Sequence, residues 1–335
     1  MNNGIPAWKA ESSLQINVTP KDKKVISIVL PCYNEEQNLE EIFLKVKDVT
    51  RQIADYQFKF CFIDNASTDR SIEVIEEICR KNDDAIAILN SRNFGFARSP
   101  FHGILEAPGD CVIMLATDQQ EPPELIPKFI NHWEDGAKVV VGQKTSSEES
   151  LWMYAVRACF YKTMNRISDI NLLQQVTGFG LYDRRVLDIF RELNEPFPYT
   201  RGLITEIGLP YVTIPFRQLG RKKGKTKFNF MGLYDLGMLA VTSYAKTPMR
   251  IATLVGFTMS LMSLILAFVF LVVKLFFWDN FPAGYSSAIV SIFFLGSVQI
   301  FLLGLLGEYL LATMNYVKKR PLVVEERRLG DWTGR

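Results

Sequence analysis

The sequence predicts an α/β domain, a mostly parallel sheet flanked by helices, followed by two C-terminal transmembrane helices. Strand and helix patterns alternate from residue 25 onward, each early strand ends in a polar loop, and two long charge-free runs occupy the last third of the 335 residues. Alternation at this spacing is typical of a parallel sheet with both faces covered. The charge-free runs are long enough to cross a bilayer.

Three apolar strands open the domain, and each is followed by a polar loop and then a helical pattern. The strands cover residues 25–30, 58–63 and 85–89. The loops after them are residues 31–36, 64–69 and 91–95. Since carboxyl ends of parallel strands lie at one edge of a sheet, where ligands bind, the loops at 31–36 and 64–69 are expected to surround a common site together with a further polar loop at 116–122.

A fourth apolar strand, residues 111–115, leads to the segment L-A-T-D-Q-Q-E-P-P-E, which contains Asp118 and Gln120. A carboxylate with a nearby amide offers hard oxygen ligands suited to Mg²⁺ or Mn²⁺ carrying a diphosphate. Aspartate after a strand is also common turn chemistry, so a simple capping role stays open. The chain has no G-x-G-x-x-G and no G-x-x-x-x-G-K-[ST], which excludes the usual dinucleotide and P-loop sites.

The charge-free runs are residues 251–273 and 280–307. Two membrane helices are the simplest interpretation, and buried core helices are the alternative. Lysine and arginine precede the first run and follow the second, while the loop at residues 279–285 has neither. This asymmetry predicts that both termini are cytoplasmic. Glu308, late in the second run, is either a helix-packing or interface residue or a functional acid.

A basic segment, residues 217–227, precedes an apolar segment that ends at Pro248. This pattern predicts a surface at the lipid headgroup layer. The predicted organisation is a flexible arm (1–22), a cytoplasmic domain (23–227), an interfacial helix (228–248), two transmembrane helices (249–317) and a basic tail (318–335). Small residues in the second run make a homo-oligomer plausible.

Six motifs in order resemble one family. They are P-C-Y-N-E at 31–35, I-D-N-A-S at 63–67, R-N-F-G at 92–95, T-D-Q-Q-E-P-P-E at 117–124, R-G-L at 201–203 and R-K-K-G-K-T-K at 221–227. Together they resemble the polyprenyl-phosphate glycosyltransferases of the GT-A (Rossmann-like) fold in glycosyltransferase family 2. That group includes dolichol-phosphate mannose synthase and the bactoprenol glucosyltransferases.

The resemblance implies a role for each matching position. The nucleoside would be lined by Pro31, Tyr33 and Glu35, and Asp64 would accept a hydrogen bond from the base. Asp118 and Gln120 would hold the metal, Mg²⁺ or Mn²⁺, and the diphosphate. The lipid phosphate would contact Arg221, Lys225 and Lys227. Asp118 and Arg221 are the implied catalytic residues.

Three positions depart from the family pattern. The first aspartate of its D-x-D motif is Ala116, its usual leucine after that motif is Gln119, and its G-D-F-R-like stretch is T-G-F-G at 177–180. The loss of the first aspartate weakens the expected metal site. The altered stretch leaves the identity of the sugar open.

The implied reaction moves a sugar, with glucose from UDP-glucose expected first, onto polyprenyl phosphate at the inner (plasma) membrane. Another donor such as GDP-mannose is an alternative. A processive polysaccharide synthase is a second alternative, because Gln218-x-x-Arg221 matches the first part of the Q-x-x-R-W signature of those enzymes. A flippase and a membrane-anchored nucleotide sensor are the non-enzyme alternatives. A nucleic-acid partner is not expected.

Overall fold

In this computed structural model, residues 23–146, 173, 175–218, 247–276, 285–318 and 320–332 are described. The strands are β1 (Val25–Cys32), β2 (Gln57–Asp64), β3 (Ala85–Asn90), β4 (Cys111–Met114), β5 (Val139–Ser146), β6 (Val176–Asp183), β7 (Tyr211–Arg217) and β8 (Glu325–Leu329). The helices are α1 (Leu39–Arg51), α2 (Ser71–Lys81), α3 (Arg98–Glu106), α4 (Ile126–Glu134), α5 (Arg184–Leu193), α6 (Thr200–Glu206), α7 (Thr247–Phe276) and α8 (Tyr285–Val317).

The strands form one sheet in the order β7-β5-β6-β4-β1-β2-β3-β8. Four of its seven strand pairs are parallel, namely β1–β2, β1–β4, β2–β3 and β5–β7. The remaining pairs, β3–β8, β4–β6 and β5–β6, are antiparallel. The predicted α/β class with a mostly parallel sheet is therefore confirmed.

Both faces of the sheet are covered by helices, because the central strands are apolar on both sides. In β1, Ile26, Ile28 and Leu30 belong to one core and Val29 to the other. Helices α1, α2 and α4 cover the first core, and α3, α5 and α6 cover the second. Continuous apolar runs of this kind characterise strands buried on two faces.

The register aligns the carboxyl ends of the central strands. Cys32, the last residue of β1, lies beside Asp64, the last residue of β2. On the other side of β1, β4 pairs through Val29 and Met114, so the segment after β4 begins at the same edge. The predicted common edge for the polar loops is thus present.

The tail of the chain contributes a strand that its sequence does not predict. Residues 325–329 pair antiparallel with β3 and close that side of the sheet. The pattern E-E-R-R-L shows little apolar alternation, because an edge strand needs to bury few of its side chains. The predicted domain boundaries stay predictions, and residues 1–22 and nearly all of 228–248 lie outside the described residues.

The two predicted membrane runs form α7 and α8, of 30 and 33 residues. Many of their large apolar side chains are exposed, including Phe257, Phe268, Ile300 and Phe301 at 66–72%. Among the helices described, none meets the requirement of length and apolar character for crossing a membrane.

Candidate active site

Hydrogen bonds join the three loops that sequence patterns place at the carboxyl edge. Thr117 Oγ1, after β4, donates to the carbonyl oxygen of Pro31 over 2.9 Å. The backbone N–H of Asn34 donates to Ser67 Oγ over 2.8 Å, which ties the β1 loop to the β2 loop. The loops after β1, β2 and β4 are therefore one connected structure.

Each of these loops contains a non-glycine residue with a left-handed backbone. The φ angles are 55° at Asn34, 59° at Ala66 and 59° at Gln119. Asparagine tolerates this region, whereas alanine and glutamine adopt it at a cost of about 1 kcal/mol or more each. Such conformations cluster at functional sites, so the loops are consistent with a binding function.

Asp64 is fully buried and organises the loop that it begins. Its Oδ2 accepts from the Ser67 N–H over 2.9 Å, and its Oδ1 accepts from Ser67 Oγ and from Cys32 Sγ. Burial raises the pKa of the Asp64 carboxyl, while the bonds from Ser67 act in the opposite direction. A role toward the base stays a prediction, and what the geometry shows is a carboxylate that shapes the loop.

Of the other three predicted nucleoside residues, Pro31 lies near the end of β1, and Tyr33 and Glu35 lie in the loop after it. Pro31 and Tyr33 are half-buried, and Glu35 is buried. Glu35 Oε2 accepts from Asn38 Nδ2 over 2.6 Å at the start of α1. Pro31 and Tyr33 are thus the members of this trio with surface to offer a ligand.

Asp118 and Gln120, the predicted metal ligands, lie together after β4. The Gln120 N–H donates to Asp118 Oδ1 over 3.2 Å, and both side chains are partly exposed. No group of three or more His, Cys, Asp or Glu side chains in the described part of the chain could hold a metal. One carboxylate and one amide oxygen fit a divalent ion whose remaining ligands are diphosphate oxygens and water.

A buried carboxylate, Glu121, to which its motif assigned no role, holds this loop in place. Glu121 Oε2 accepts from the Ala116 N–H over 3.0 Å, and Oε1 accepts from Thr177 Oγ1 on β6 over 2.6 Å. Burial raises the pKa of Glu121 to about 7, and nearby Asp118 adds to the shift. The only sequence signal was an acid directly before Pro122 and Pro123, which does not reveal burial.

The altered stretch at 177–180 contains two glycines at positions that disfavour a side chain. A Cβ at Gly180 would lie 2.4 Å from the Val140 carbonyl oxygen, and one at Gly178 would lie 2.6 Å from Met114 Cε. Gly178 also has a φ of 102°, which L side chains rarely adopt. Glycine is therefore required by packing against the backbone at Gly180 and by the backbone conformation at Gly178, where the end of the Met114 side chain can move aside.

The structure brings the beginning of the basic segment to the metal loop. Gln218 Nε2, just after β7, donates to Gln120 Oε1 over 2.9 Å. Arg221, Lys225 and Lys227, the predicted lipid-phosphate residues, lie outside the described residues. Their roles stay predictions.

Comparison with known proteins gives consistent matches. The family model described as glycosyl transferase family 2 matches residues 27–190. An uncharacterized glycosyltransferase of Synechocystis sp. is 33% identical over 299 residues, covering 89% of this chain and 93% of the relative. A prophage bactoprenol glucosyl transferase homolog of Escherichia coli is 30% identical over 303 residues, covering 90% and 98%.

Solved structures also match. One is a glucosyl-3-phosphoglycerate synthase from Mycobacterium tuberculosis, crystallised with Mn²⁺, UDP-glucose and phosphoglyceric acid. Its TM-score is 0.46 at 15% identity, and the match covers 65% of this chain and 78% of that one.

Proposed function

Because the chain belongs to glycosyl transferase family 2 and is a glycosyltransferase, we propose that it transfers glucose from UDP-glucose to polyprenyl phosphate. Several relatives at about 30% identity over most of the chain are named bactoprenol glucosyl transferases, which supports both the sugar and the lipid. GDP-mannose is the alternative donor.

The observation that carries this proposal is the hydrogen bond between Gln218 and Gln120. It connects the loop suited to a metal-bound diphosphate with the beginning of the basic segment. Arg221 is three residues further along, and three residues span at most about 10 Å. An acceptor phosphate bound by the basic segment would therefore lie close to the sugar being transferred.

The chain's own residues position the substrates and the divalent ion. Pro31 and Tyr33 would contact the nucleoside, while Asp118 and Gln120 would hold the divalent ion and so orient the diphosphate. When bound, that ion supplies positive charge to the leaving diphosphate. An oxygen of the lipid phosphate forms the new bond to the anomeric carbon as the bond to the diphosphate breaks, which inverts the configuration.

This reaction needs no strong general base, because the attacking phosphate is already ionised at neutral pH. Arg221 can bind that phosphate with two charged hydrogen bonds. The remaining demand on the protein is to hold the two substrates in line, which is a matter of positioning and electrostatics.

We further propose that α7 and α8 anchor the protein in the inner membrane, with the catalytic domain and both termini in the cytoplasm. The support is the absence of charge over residues 251–273 and 280–307, the exposed apolar side chains on both helices, and the flanking lysines and arginines. A homo-oligomer through the small residues of α8 is part of this proposal.

The decisive experiment incubates membranes containing the protein with radiolabelled UDP-glucose and measures label in the extracted lipid. We expect Asp118→Asn to reduce transfer at least about a hundredfold, because the loss of its charge weakens stabilisation of the leaving group. Asp135→Asn, at the exposed end of α4, is the matched control and keeps full activity. An active Asp118→Asn enzyme, or full activity in excess EDTA, contradicts the metal assignment.

The same assay separates the alternatives. Label in a single-sugar lipid supports the proposed transfer, while long labelled polymers indicate a processive synthase. Transfer from GDP-mannose but not from UDP-glucose moves the assignment to the other donor. Donor binding without turnover indicates a nucleotide sensor.

A further inference from the structure

Three arginines converge at the carboxyl end of β3, away from the metal loop. The guanidinium carbon of Arg92 lies 4.1 Å from the centre of the Phe94 ring, and that of Arg98 lies 5.5 Å from the same centre. Arg98 Nη2 also donates to the Pro321 carbonyl oxygen over 2.5 Å, so Arg320 is brought to the same place. We call Arg92, Arg98 and Arg320 the arginine cluster.

These positive charges have no anionic partner within the described part of the chain. No ion pair formed there includes a member of the cluster, although neighbouring arginines of the same region are paired: Arg328 contacts Glu106 and Glu325, and Arg327 contacts Glu76. The first turn of α3, which begins with Arg98, also contains no acid. The repulsion among the three arginine charges is therefore not offset by any ion pair in the described part of the chain.

Arg98 shows the effect of this environment. Its Nε is buried and has no hydrogen-bond partner in the described structure. Burial lowers the pKa of Arg98, and the charges of Arg92 and Arg320 lower it further. A buried donor without a partner costs free energy, so an anion that accepts from it would be bound favourably.

We propose that the arginine cluster binds the phosphate of an anionic membrane lipid. Guanidinium groups bind phosphate through paired, charged hydrogen bonds, and three of them match the three unesterified oxygens of a lipid phosphate monoester such as phosphatidic acid. Exposed Phe96 and Phe197 lie in the same region and offer apolar surface next to the headgroup. One phosphate would thereby join the catalytic domain to the segment that follows α8.

A lipid is the source that the position favours. Arg320 lies three residues after Val317, the end of α8. If α8 is inserted in the membrane as proposed above, Arg320 lies at the headgroup layer. The choice of a lipid as the source of the phosphate therefore rests on the proposed function.

The site is also distinct from the acceptor site. Asp118 follows β4 and Arg92 follows β3, and three strand spacings separate β4 from β3. At about 4.8 Å each, these amount to roughly 14 Å, too far for a phosphate in the cluster to attack the sugar. The bound lipid would thus fix the position of the domain rather than react.

The test uses the full-length protein in an uncharged detergent and titrates dioctanoyl phosphatidic acid, with the thermal midpoint as the measure of binding. We expect a saturable rise with phosphatidic acid and a much smaller one with dioctanoyl phosphatidylcholine or inorganic phosphate. Arg92→Gln and Arg320→Gln should each weaken the affinity at least about tenfold, with the lysine variants in between. Arg80→Gln, an exposed arginine on α2, is the matched control and should leave the affinity unchanged.

The unliganded variants distinguish binding from a purely structural role. Because the cations repel one another, Arg320→Gln without lipid should melt no lower than the wild type, whereas a structural role would lower its midpoint. The proposal is overturned if all variants bind phosphatidic acid with equal affinity. It is also overturned if phosphatidylcholine or inorganic phosphate raises the thermal midpoint of the wild type as much as phosphatidic acid does. Sugar transfer is not measured here, so a failed transfer assay and failed lipid binding are separate results.

Discussion

At the scale of single residues, Glu121 fixes the shape of the loop that contains Asp118 and Gln120. It is 6% exposed, and it joins the backbone at Ala116 to Thr177 on β6. Motif reasoning singled out Asp118 and Gln120 as predicted metal ligands because their chemistry is visible in the sequence. It missed Glu121, because burial and a cross-strand partner are properties of the folded chain.

Glu121 predicts a pH dependence of stability. Burial raises its pKa from 4.5 to about 7, so the neutral form is favoured in the folded state. The stabilisation that the neutral Glu121 side chain gives to the folded state is fully present below pH 4.5. It is lost as the pH rises through about 7. Relative to Glu121→Gln, which stays neutral, the wild type should lose on the order of 3 kcal/mol between pH 4 and pH 8.

Urea denaturation of both proteins in detergent at several pH values measures this difference. Glu124→Gln, on an exposed acid of the same segment, controls for the general loss of a carboxylate. A wild type whose free energy of unfolding follows that of Glu121→Gln at every pH contradicts the assignment.

Ala66 predicts a stabilising substitution. Its φ of 59° costs alanine about 1 kcal/mol, which glycine does not pay in the folded state. Against this stands the larger backbone entropy of glycine in the unfolded chain, so Ala66→Gly should change the free energy of unfolding by less than about 1 kcal/mol and in the stabilising direction. Ala54→Gly, which lies outside the three loops of the candidate site, should instead lower the free energy of unfolding. If Ala66→Gly lowered it more than Ala54→Gly does, the strained geometry at Ala66 would be contradicted.

At position 180 we predict that replacing the glycine destabilises the protein. A Cβ there would lie 2.4 Å from the Val140 carbonyl oxygen and 2.9 Å from Val141 Cα, and backbone cannot move aside as a side chain can. Gly180→Ala should therefore cost at least about 2 kcal/mol. Gly136→Ala is a useful comparison, since its Cβ meets nothing within 4 Å and its penalty comes from a φ of 104° alone. Thermal unfolding of the two variants should show the larger loss at position 180.

At the scale of elements, the early strands and helices were predictable and the last strand was not. β1, β2 and β3 have apolar runs closed by polar loops, and the structure places each within a few residues of the predicted range. β8 is rich in charge, and its partners are distant in sequence. It is held by contacts that only the fold creates, such as His102 Nε2 to Glu325 Oε1 at 2.6 Å.

The ionisation of Glu325 should affect the stability of the pairing between β8 and the rest of the sheet. Burial acts to raise its pKa, but hydrogen bonds from Arg328 and His102 bring the pKa below its ordinary value. The stabilisation is therefore present above about pH 4.5 and is lost as the pH falls through the lowered value. Glu325→Gln should increase hydrogen exchange across β8 at neutral pH, and Glu326→Gln, its exposed neighbour, should not. Equal protection in the two variants would contradict this role.

At the scale of the whole molecule, the topology of the chain relative to the membrane is a prediction from charge placement. A cysteine at position 283 should react with an impermeant thiol reagent in intact cells, because the loop between α7 and α8 is predicted to lie outside. Ser91→Cys, exposed beside β8, should react only after the cells are opened. Protection of the cysteine at position 283 in intact cells counts against this orientation.

The position of β8 has a consequence for how the protein is made. The carbonyl oxygen of Asp331 accepts a hydrogen bond from Lys59 across 272 residues, and β3 receives its outer neighbour, β8, from beyond α8. During synthesis the catalytic domain emerges first, while the strand that covers β3 leaves the ribosome only after α7 and α8. The nascent protein therefore carries an open, apolar sheet edge throughout the synthesis of α7 and α8, and that edge is where association between unfinished chains would begin.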